Sequence, residues 1–219
     1  MSHPYAGGTS AIVLAAGESS RFGGQKLLAP LGGQPLVRRT VQNVLAAGIA
    51  DIVVVLGADA DDVRAALDGL PVRFVLNPDY RDGMSASLRR GIEALDPAAR
   101  AALIVLGDQP AVGPELMRRV LAAQRETDKP IAAPVYDGVQ GNPVVFAREV
   151  FAELGMLRGD RGAREVVQRD PGRVATVHVE GEMPRDVDTR ADLAALGGGA
   201  PPERSRFGEA SGRDRATNG

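Results

Sequence analysis

Ala11-Ile12-Val13-Leu14-Ala15-Ala16-Gly17-Glu18-Ser19-Ser20-Arg21-Phe22-Gly23-Gly24-Gln25-Lys26-Leu27 is the stretch whose reading decides the fold. Its first four residues form an unbroken apolar run, the pattern of a parallel strand buried on both faces. The Gly- and Ser-rich turn that follows leaves the C-terminal end of that strand, where open α/β sheets place their ligands. Amides exposed around Gly17, Gly23 and Gly24 can close on an anion, and Arg21 and Lys26 add full positive charge. The chain has many arginines but only two lysines, Lys26 and Lys129, which singles out the lysine in this loop. The segment predicts a phosphate-binding loop with a nucleotide as its guest.

Two familiar phosphate loops do not fit. The dinucleotide fingerprint G-x-G-x-x-G fails because no glycine follows Gly17 until Gly23. The nucleoside-triphosphatase loop needs a hydroxyl after its lysine to hold magnesium, and here Leu27 follows Lys26. Any metal ligand must therefore come from elsewhere in the chain.

Working outward, Leu36, Val37, Val41, Val44 and Leu45 make an apolar stripe that predicts a helix over 35–47, ended by Gly48. The apolar run Asp51 to Leu56 predicts the next parallel strand and completes a β-α-β unit. The same reading gives helices at 60–67, 84–94, 114–125, 148–154 and 163–169, with strands at 72–76, 101–106, 131–135, 144–146 and 174–179. The alternation predicts an α/β fold, a single doubly wound and mostly parallel sheet with helices on both faces and one antiparallel strand among the later elements. A last helix is expected near Thr189, where Thr189 and Asp192 have the spacing of a capping box.

Composition narrows the function. At 219 residues, with 44% hydrophobic and 25% charged residues, the chain suits one α/β domain, here placed at 10–196 between a flexible start, 1–9, and a disordered tail, 197–219. A net charge of -2 and 4% aromatic residues disfavour nucleic-acid binding. The absence of cysteine excludes disulfides and thiolate sites. With only His3 and His178, a histidine metal site or a serine–histidine dyad is also disfavoured. No apolar run approaches the ~20 residues that cross a bilayer, and the segment Met1 to Thr9 does not have the pattern of a signal peptide, so none is expected, no membrane partner is expected and the cytoplasm is the default location.

Two acidic positions complete the reading. Asp108 follows the run Ala101 to Leu106 and sits at a strand tip on the same sheet edge as the loop. A carboxylate there would repel a triphosphate unless it held Mg²⁺, which takes one or two carboxylates plus phosphate and water oxygens. A second carboxylate lies in Arg185-Asp186-Val187-Asp188-Thr189. Alternation places Asp186 and Asp188 on one face, leaving the choice open, and the strand-to-helix junction favours Asp188.

Taken with Lys26-Leu27-Leu28, the opening loop resembles the nucleotidyltransferase signature L-A-A-G-x-S-x-R-[MF]-G…K. Further likeness lies at Asn77-Pro78-Asp79-Tyr80-Arg81-Asp82-Gly83-Met84-Ser85-Ala86-Ser87, Leu106-Gly107-Asp108-Gln109-Pro110, Gly141-Asn142-Pro143, Gly159-Asp160-Arg161-Gly162-Ala163-Arg164 and Val187-Asp188-Thr189. Together they are similar to the molybdenum cofactor cytidylyltransferase group of the MobA-like nucleotidyltransferase superfamily, over roughly 12–196. The resemblance implies a fold like the nucleotide-diphospho-sugar transferases. It implies transfer of a CMP unit from CTP, or another nucleoside triphosphate, to the terminal phosphate of molybdenum-bound molybdopterin, and a molybdoenzyme or its maturation factor as a further partner. On this basis Arg21, Lys26 and Asp108 are expected to be catalytic, with Asp108 and Asp188 on Mg²⁺. Leu14, Ala15, Ala16, Gly17, Glu18, Ser19, Ser20, Gly23, Asn77, Ser85 and Ser87 are expected to hold the nucleotide. Gly141, Asn142, Asp160, Arg161 and Arg164 are expected on the acceptor side. One departure stands at Asn142, where relatives often carry histidine. Related readings are a transferase for a sugar or polyol phosphate and an oxidoreductase acting on a pigment from nicotine breakdown. The missing dinucleotide fingerprint argues against the latter.

Overall fold

Strand alternation divides the interior into two cores. In the computed structural model, which describes residues 8–160 and 162–197, β1 (Thr9–Ala15) lies between β4 (Asp51–Leu56) and β6 (Ala101–Leu106), parallel to both. Ala11, Val13 and Ala15 face one core and Ile12 faces the other, because successive side chains of a strand point to opposite faces. The first core is closed by α1 (Leu36–Ala46), α2 (Ala60–Ala66), α4 (Pro114–Glu126) and α7 (Arg190–Ala195), the second by α3 (Met84–Glu93), α5 (Phe151–Gly155) and α6 (Arg164–Arg169). Both faces of the central strands are thus dry, which is why they read as continuous apolar runs. Truncating a central side chain such as Leu103, fully buried, to alanine should cost about 2–5 kcal/mol.

The remaining strands are β5 (Arg73–Leu76), β7 (Ile131–Tyr136), β9 (Val144–Ala147) and β10 (Val174–Val179), giving the order β10-β7-β9-β6-β1-β4-β5. In that path β9 alone runs antiparallel, against both β6 and β7, and it is the antiparallel strand expected among the later elements. The fold class is the expected one, a single, mostly parallel α/β sheet with helices on both faces.

Several boundaries differ from the sequence reading. Thr9 opens β1 and the Gly8 carbonyl accepts from the Arg100 and Ala101 amides, so the sheet begins inside the segment expected to be a flexible start. Residues 1–7 and 198–219, which carry the rest of the expected flexible start and tail, lie outside the described residues. Pro35 belongs to a small hairpin, β2 (Pro30–Leu31) with β3 (Gln34–Pro35), and α1 starts one residue later. The expected helix at 148–154 opens as a 3-10 turn, Arg148–Val150, before α5. A two-residue strand, β8 (Val139–Gln140), returns along β7. Such two-residue pairings carry no periodicity for a sequence to display.

Thr189 caps α7 as expected: its hydroxyl accepts from the Asp192 amide, and the Asp192 carboxylate accepts from the Thr189 amide. Among the described residues no helix is long and apolar enough to cross a membrane.

Candidate active site

The loop after β1 is pinned by its apolar residues and by one glutamine. Phe22 and Leu27 are buried in the first core, and the Phe22 amide donates to the Ser19 carbonyl at 3.0 Å. Gln25 Oε1 accepts from the Ser19 hydroxyl at 2.9 Å, while its Nε2 donates to Asp59 Oδ2 at 3.2 Å. Ser19 is held in the left-handed region, φ 55, a conformation that costs about 1–3 kcal/mol in a non-glycine residue and persists only where its surroundings impose it. Among the described residues the amides of Gly17, Glu18, Ser19 and Ser20 donate to no protein atom, which leaves successive N–H groups for an anion. A Cβ on Gly17 would meet nothing within 4 Å, so the space beside this residue belongs to the cavity.

Anchoring Leu27 turns its neighbour Lys26 toward the sheet edge. The Lys26 ammonium donates to Asp108 Oδ2 at 2.6 Å and to Asp188 Oδ1 at 2.9 Å. Burial alone would depress the Lys26 pKa, but the Asp108 charge and the hydrogen bonds to both carboxylates outweigh it and hold it above the ordinary lysine value. Arg21 is 81% exposed and reaches Asp188 Oδ2 at 3.7 Å, a contact screened by water.

Asp188 is brought to Asp108 by backbone pairing. The Val187 amide donates to the Asp108 carbonyl at 3.1 Å and the Val187 side chain is fully buried, so Asp186 and Asp188 both turn away from the core. The structure separates the two aspartates. Asp188 shares the Lys26 ammonium with Asp108, whereas Asp186 Oδ1 accepts from Gln109 Nε2 at 2.6 Å. Burial, followed by the Asp108 charge, pushes the Asp186 carboxyl above the usual carboxylate range.

This cluster stands at the junction of two cavities. The smaller, about 400 Å³, is lined by Leu14, Ala15, Ala16, Gly17, Glu18, Ser19, Lys26, Ser87 and Asp108, together with Tyr80 and Arg81. Arg81 Nε donates to Glu18 Oε1 at 2.7 Å across its mouth. The larger, about 560 Å³, is lined by Gly141, Asn142, Arg164 and Asp188, with Gln109, Gln140 and Met183. Leu14, Met84, Leu106, Asp160 and Asp186 line both. Gly83 makes this shared wall. At φ 98 it brings the start of α3 against the 159–160 turn, where a Cβ would lie 2.5 Å from the Gly159 carbonyl carbon, and the Ser85 amide donates to the Gly159 carbonyl at 3.1 Å.

Not every expected residue is on these walls. Ser20, Arg21 and Gly23 are exposed and line neither cavity. Asn77 and Ser85 are fully buried and also line neither. Asn77 Nδ2 donates to the Ser87 hydroxyl at 3.0 Å and its Oδ1 accepts from the Asp79 amide, so its polar groups are spent holding the start of α3. The Ser85 hydroxyl has no partner. Arg161 lies outside the described residues. The sequence reading missed Gln25, Gln109, Tyr80 and Arg81. Gln109 had a signal, a polar residue between the strand-tip aspartate and a proline, whereas Gln25 acts through loop geometry that spacing does not encode.

The donor set suits a divalent cation. Asp108 and Asp188 offer hard carboxylate oxygens on either side of one positive charge, and Mg²⁺-type ions take only one or two carboxylates beside phosphate and water. Among the described residues no group of three or more His, Cys, Asp or Glu side chains forms an all-protein cage.

The chain is similar to known proteins along most of its length. It is 31% identical over 195 residues to the nicotine blue oxidoreductase of Paenarthrobacter nicotinovorans, covering 84% of this chain and 94% of that protein. The crystal structure of Rv0371c from Mycobacterium tuberculosis superposes with a TM-score of 0.78 at 34% identity, over 87% of this chain and 98% of the other. The same protein crystallised with manganese superposes with a TM-score of 0.73 at 33% identity, over 86% and 97%. The model of the MobA-like NTP transferase domain matches residues 11–174, which span the loop, Lys26 and Asp108, and the chain belongs to that family of nucleotidyltransferases.

Proposed function

We propose that this protein transfers a CMP unit from CTP to the terminal phosphate of molybdenum-bound molybdopterin in the cytoplasm, releasing pyrophosphate. The observation that carries the reading is the position of Lys26, Asp108 and Asp188 between a cavity floored by the phosphate loop and a second cavity large enough for an acceptor. The loop amides from Gly17 to Ser20 hold the triphosphate. Lys26, with Arg21 outside the cavities beside Asp188, stabilises charge that builds on the departing pyrophosphate. The acceptor phosphate is already ionised near neutral pH, its second pKa being ~6, so no strong protein base is required. One of its oxygens forms the new bond to the α-phosphorus, the bond to the β-phosphate oxygen breaks, and that oxygen leaves with the electron pair. Aligning the two across the shared wall is the main task of the protein. Asp108 and Asp188 would hold Mg²⁺, which would neutralise phosphate charge. Gly141, Asn142, Asp160, Arg161 and Arg164 are assigned to the acceptor, which a molybdoenzyme or its maturation factor receives after transfer.

Pyrophosphate release tests this reading. With CTP and Mg²⁺, molybdenum-bound molybdopterin should support turnover well above that with sugar or polyol phosphates. Preference for one of the latter would move the acceptor, and no release with any nucleoside triphosphate would overturn the reaction type. The likeness to nicotine blue oxidoreductase supports one other reading, reduction of a nicotine-derived pigment in the larger cavity. Consumption of NAD(P)H with that pigment would establish it.

A further inference from the structure

Gln109 follows Asp108 at the tip of β6, is 5% exposed and lines the larger cavity. A carboxamide carries one donor group and one acceptor oxygen, and here only the donor half is used. Nε2 donates to Asp186 Oδ1 at 2.6 Å, while Oε1 is buried with no hydrogen-bond partner. Turning the amide over would place Oε1 against the Asp186 carboxylate, so the observed orientation is fixed by charge. The backbone is fixed as well: the Gln109 amide donates to the Leu106 carbonyl at 3.2 Å, and the Val187 amide donates to the Asp108 carbonyl at 3.1 Å. Roughly 90% or more of buried polar groups in native proteins are paired, so an orphaned oxygen just behind the cavity surface, on a residue that lines it, points to a donor that an occupant supplies once a small shift of the side chain uncovers Oε1.

We propose that Gln109 selects the acceptor: Oε1 accepts a hydrogen bond from an N–H or O–H group of the acceptor, while Nε2 keeps Asp186 in the wall common to both cavities. The inference rests on the nucleotidyltransferase reading and adds a property of the acceptor. Because Gln109 is the chain neighbour of Asp108, the donor lies close to the reacting phosphate. A molecule that presents only acceptor atoms to this wall leaves Oε1 unpaired, which is how a hydrogen-bonding site rejects an analogue. Gln109 touches no reacting atom and is a specificity and positioning residue.

The test compares the full-length wild type with Gln109→Leu and Gln109→Met. CTP, Mg²⁺ and, in turn, molybdenum-bound molybdopterin, glucose 1-phosphate and erythritol 4-phosphate are supplied, pyrophosphate is followed, and CTP binding is measured separately. Both variants should raise the KM for the acceptor that the wild type uses by at least ~10-fold, and leave CTP affinity within about twofold. A wild-type acceptor KM in either variant overturns the proposal, since a water molecule then satisfies Oε1. Equal losses of CTP and acceptor binding also overturn it, by making Gln109 a general support of the sheet edge. Absence of turnover in the wild type with all three acceptors overturns the proposal together with the CTP-dependent transfer to these acceptors on which it rests, and is seen before any variant is made.

Discussion

The two cavities are built in different ways. The smaller is walled mainly by two stretches of chain, from Leu14 to Ser19 and from Tyr80 to Ser87, with Lys26 and Asp108 at its inner end. The larger gathers residues from β6, from the turn between β8 and β9, from the 160–164 segment and from the 183–188 segment. A cavity made of contiguous chain carries its chemistry in local spacing. One made of distant segments owes its contents to topology, here to the antiparallel β9 and to the chain that returns past Asp108 after β10. On the proposed reading, chemistry that faces the phosphates is therefore local, and recognition of the acceptor is collective.

The largest effects should come where the cavities meet. Lys26→Ala and Asp108→Ala should each lower kcat by at least ~10²-fold, the scale of losing one electrostatic contact made in the transition state. Steady-state pyrophosphate release checks this. Near-normal rates in folded variants would detach the cluster from catalysis and leave the two cavities unrelated.

Next in size is the wall itself. Gly83→Ala adds a Cβ 2.5 Å from the Gly159 carbonyl carbon at a φ of 98, so either α3 or the 159–160 turn must move. Loss of about 1–3 kcal/mol of stability is expected, with the KM of CTP and of the acceptor rising together. Denaturant titration and the two KM values measure it. If only one KM changes, the wall is not shared in function. Arg164→Ala, confined to the larger cavity, should raise the acceptor KM by about tenfold with little change for CTP, as expected for one charged hydrogen bond.

What the sequence disclosed follows the same division. The central strands were visible because burial on both faces demands unbroken apolar runs, and the cap of α7 because Thr189 and Asp192 satisfy each other through fixed spacing. Lys26 and Asp108 could be placed on one sheet edge from the order of elements alone. Alternation could not choose between Asp186 and Asp188, since both face away from the Val187 side of the chain, and only tertiary contacts separate them. Asn77 and Ser85 sit beside the correct helix start, yet the side chain of one is consumed by Ser87 and Asp79 and both lie off the cavity walls. Periodicity does not distinguish a polar residue that supports a wall from one that forms it.

The smallest expected effect lies away from both cavities and shows what an ion pair does without a ligand to bind. Arg173 donates to Glu153 Oε1 at 2.7 Å and Oε2 at 3.1 Å, a bidentate contact between α5 and the approach to β10. Hydrogen bonding to Arg173 holds the Glu153 carboxyl below the ordinary glutamate value. A depressed carboxyl contributes stability that is fully present above its unfolded pKa, near ~4.3, and is lost as pH falls through the lower folded value. Glu153→Gln should therefore lose stability at neutral pH. With both side chains about a quarter to a third exposed, 25% and 31%, the loss should stay under about 1 kcal/mol. In acid, below the folded pKa, wild type and variant should converge. Thermal melts across pH check this, and both KM values should stay at the wild-type level. A change in either KM would mean that the charged groups outside the cavities also set the geometry of the shared wall.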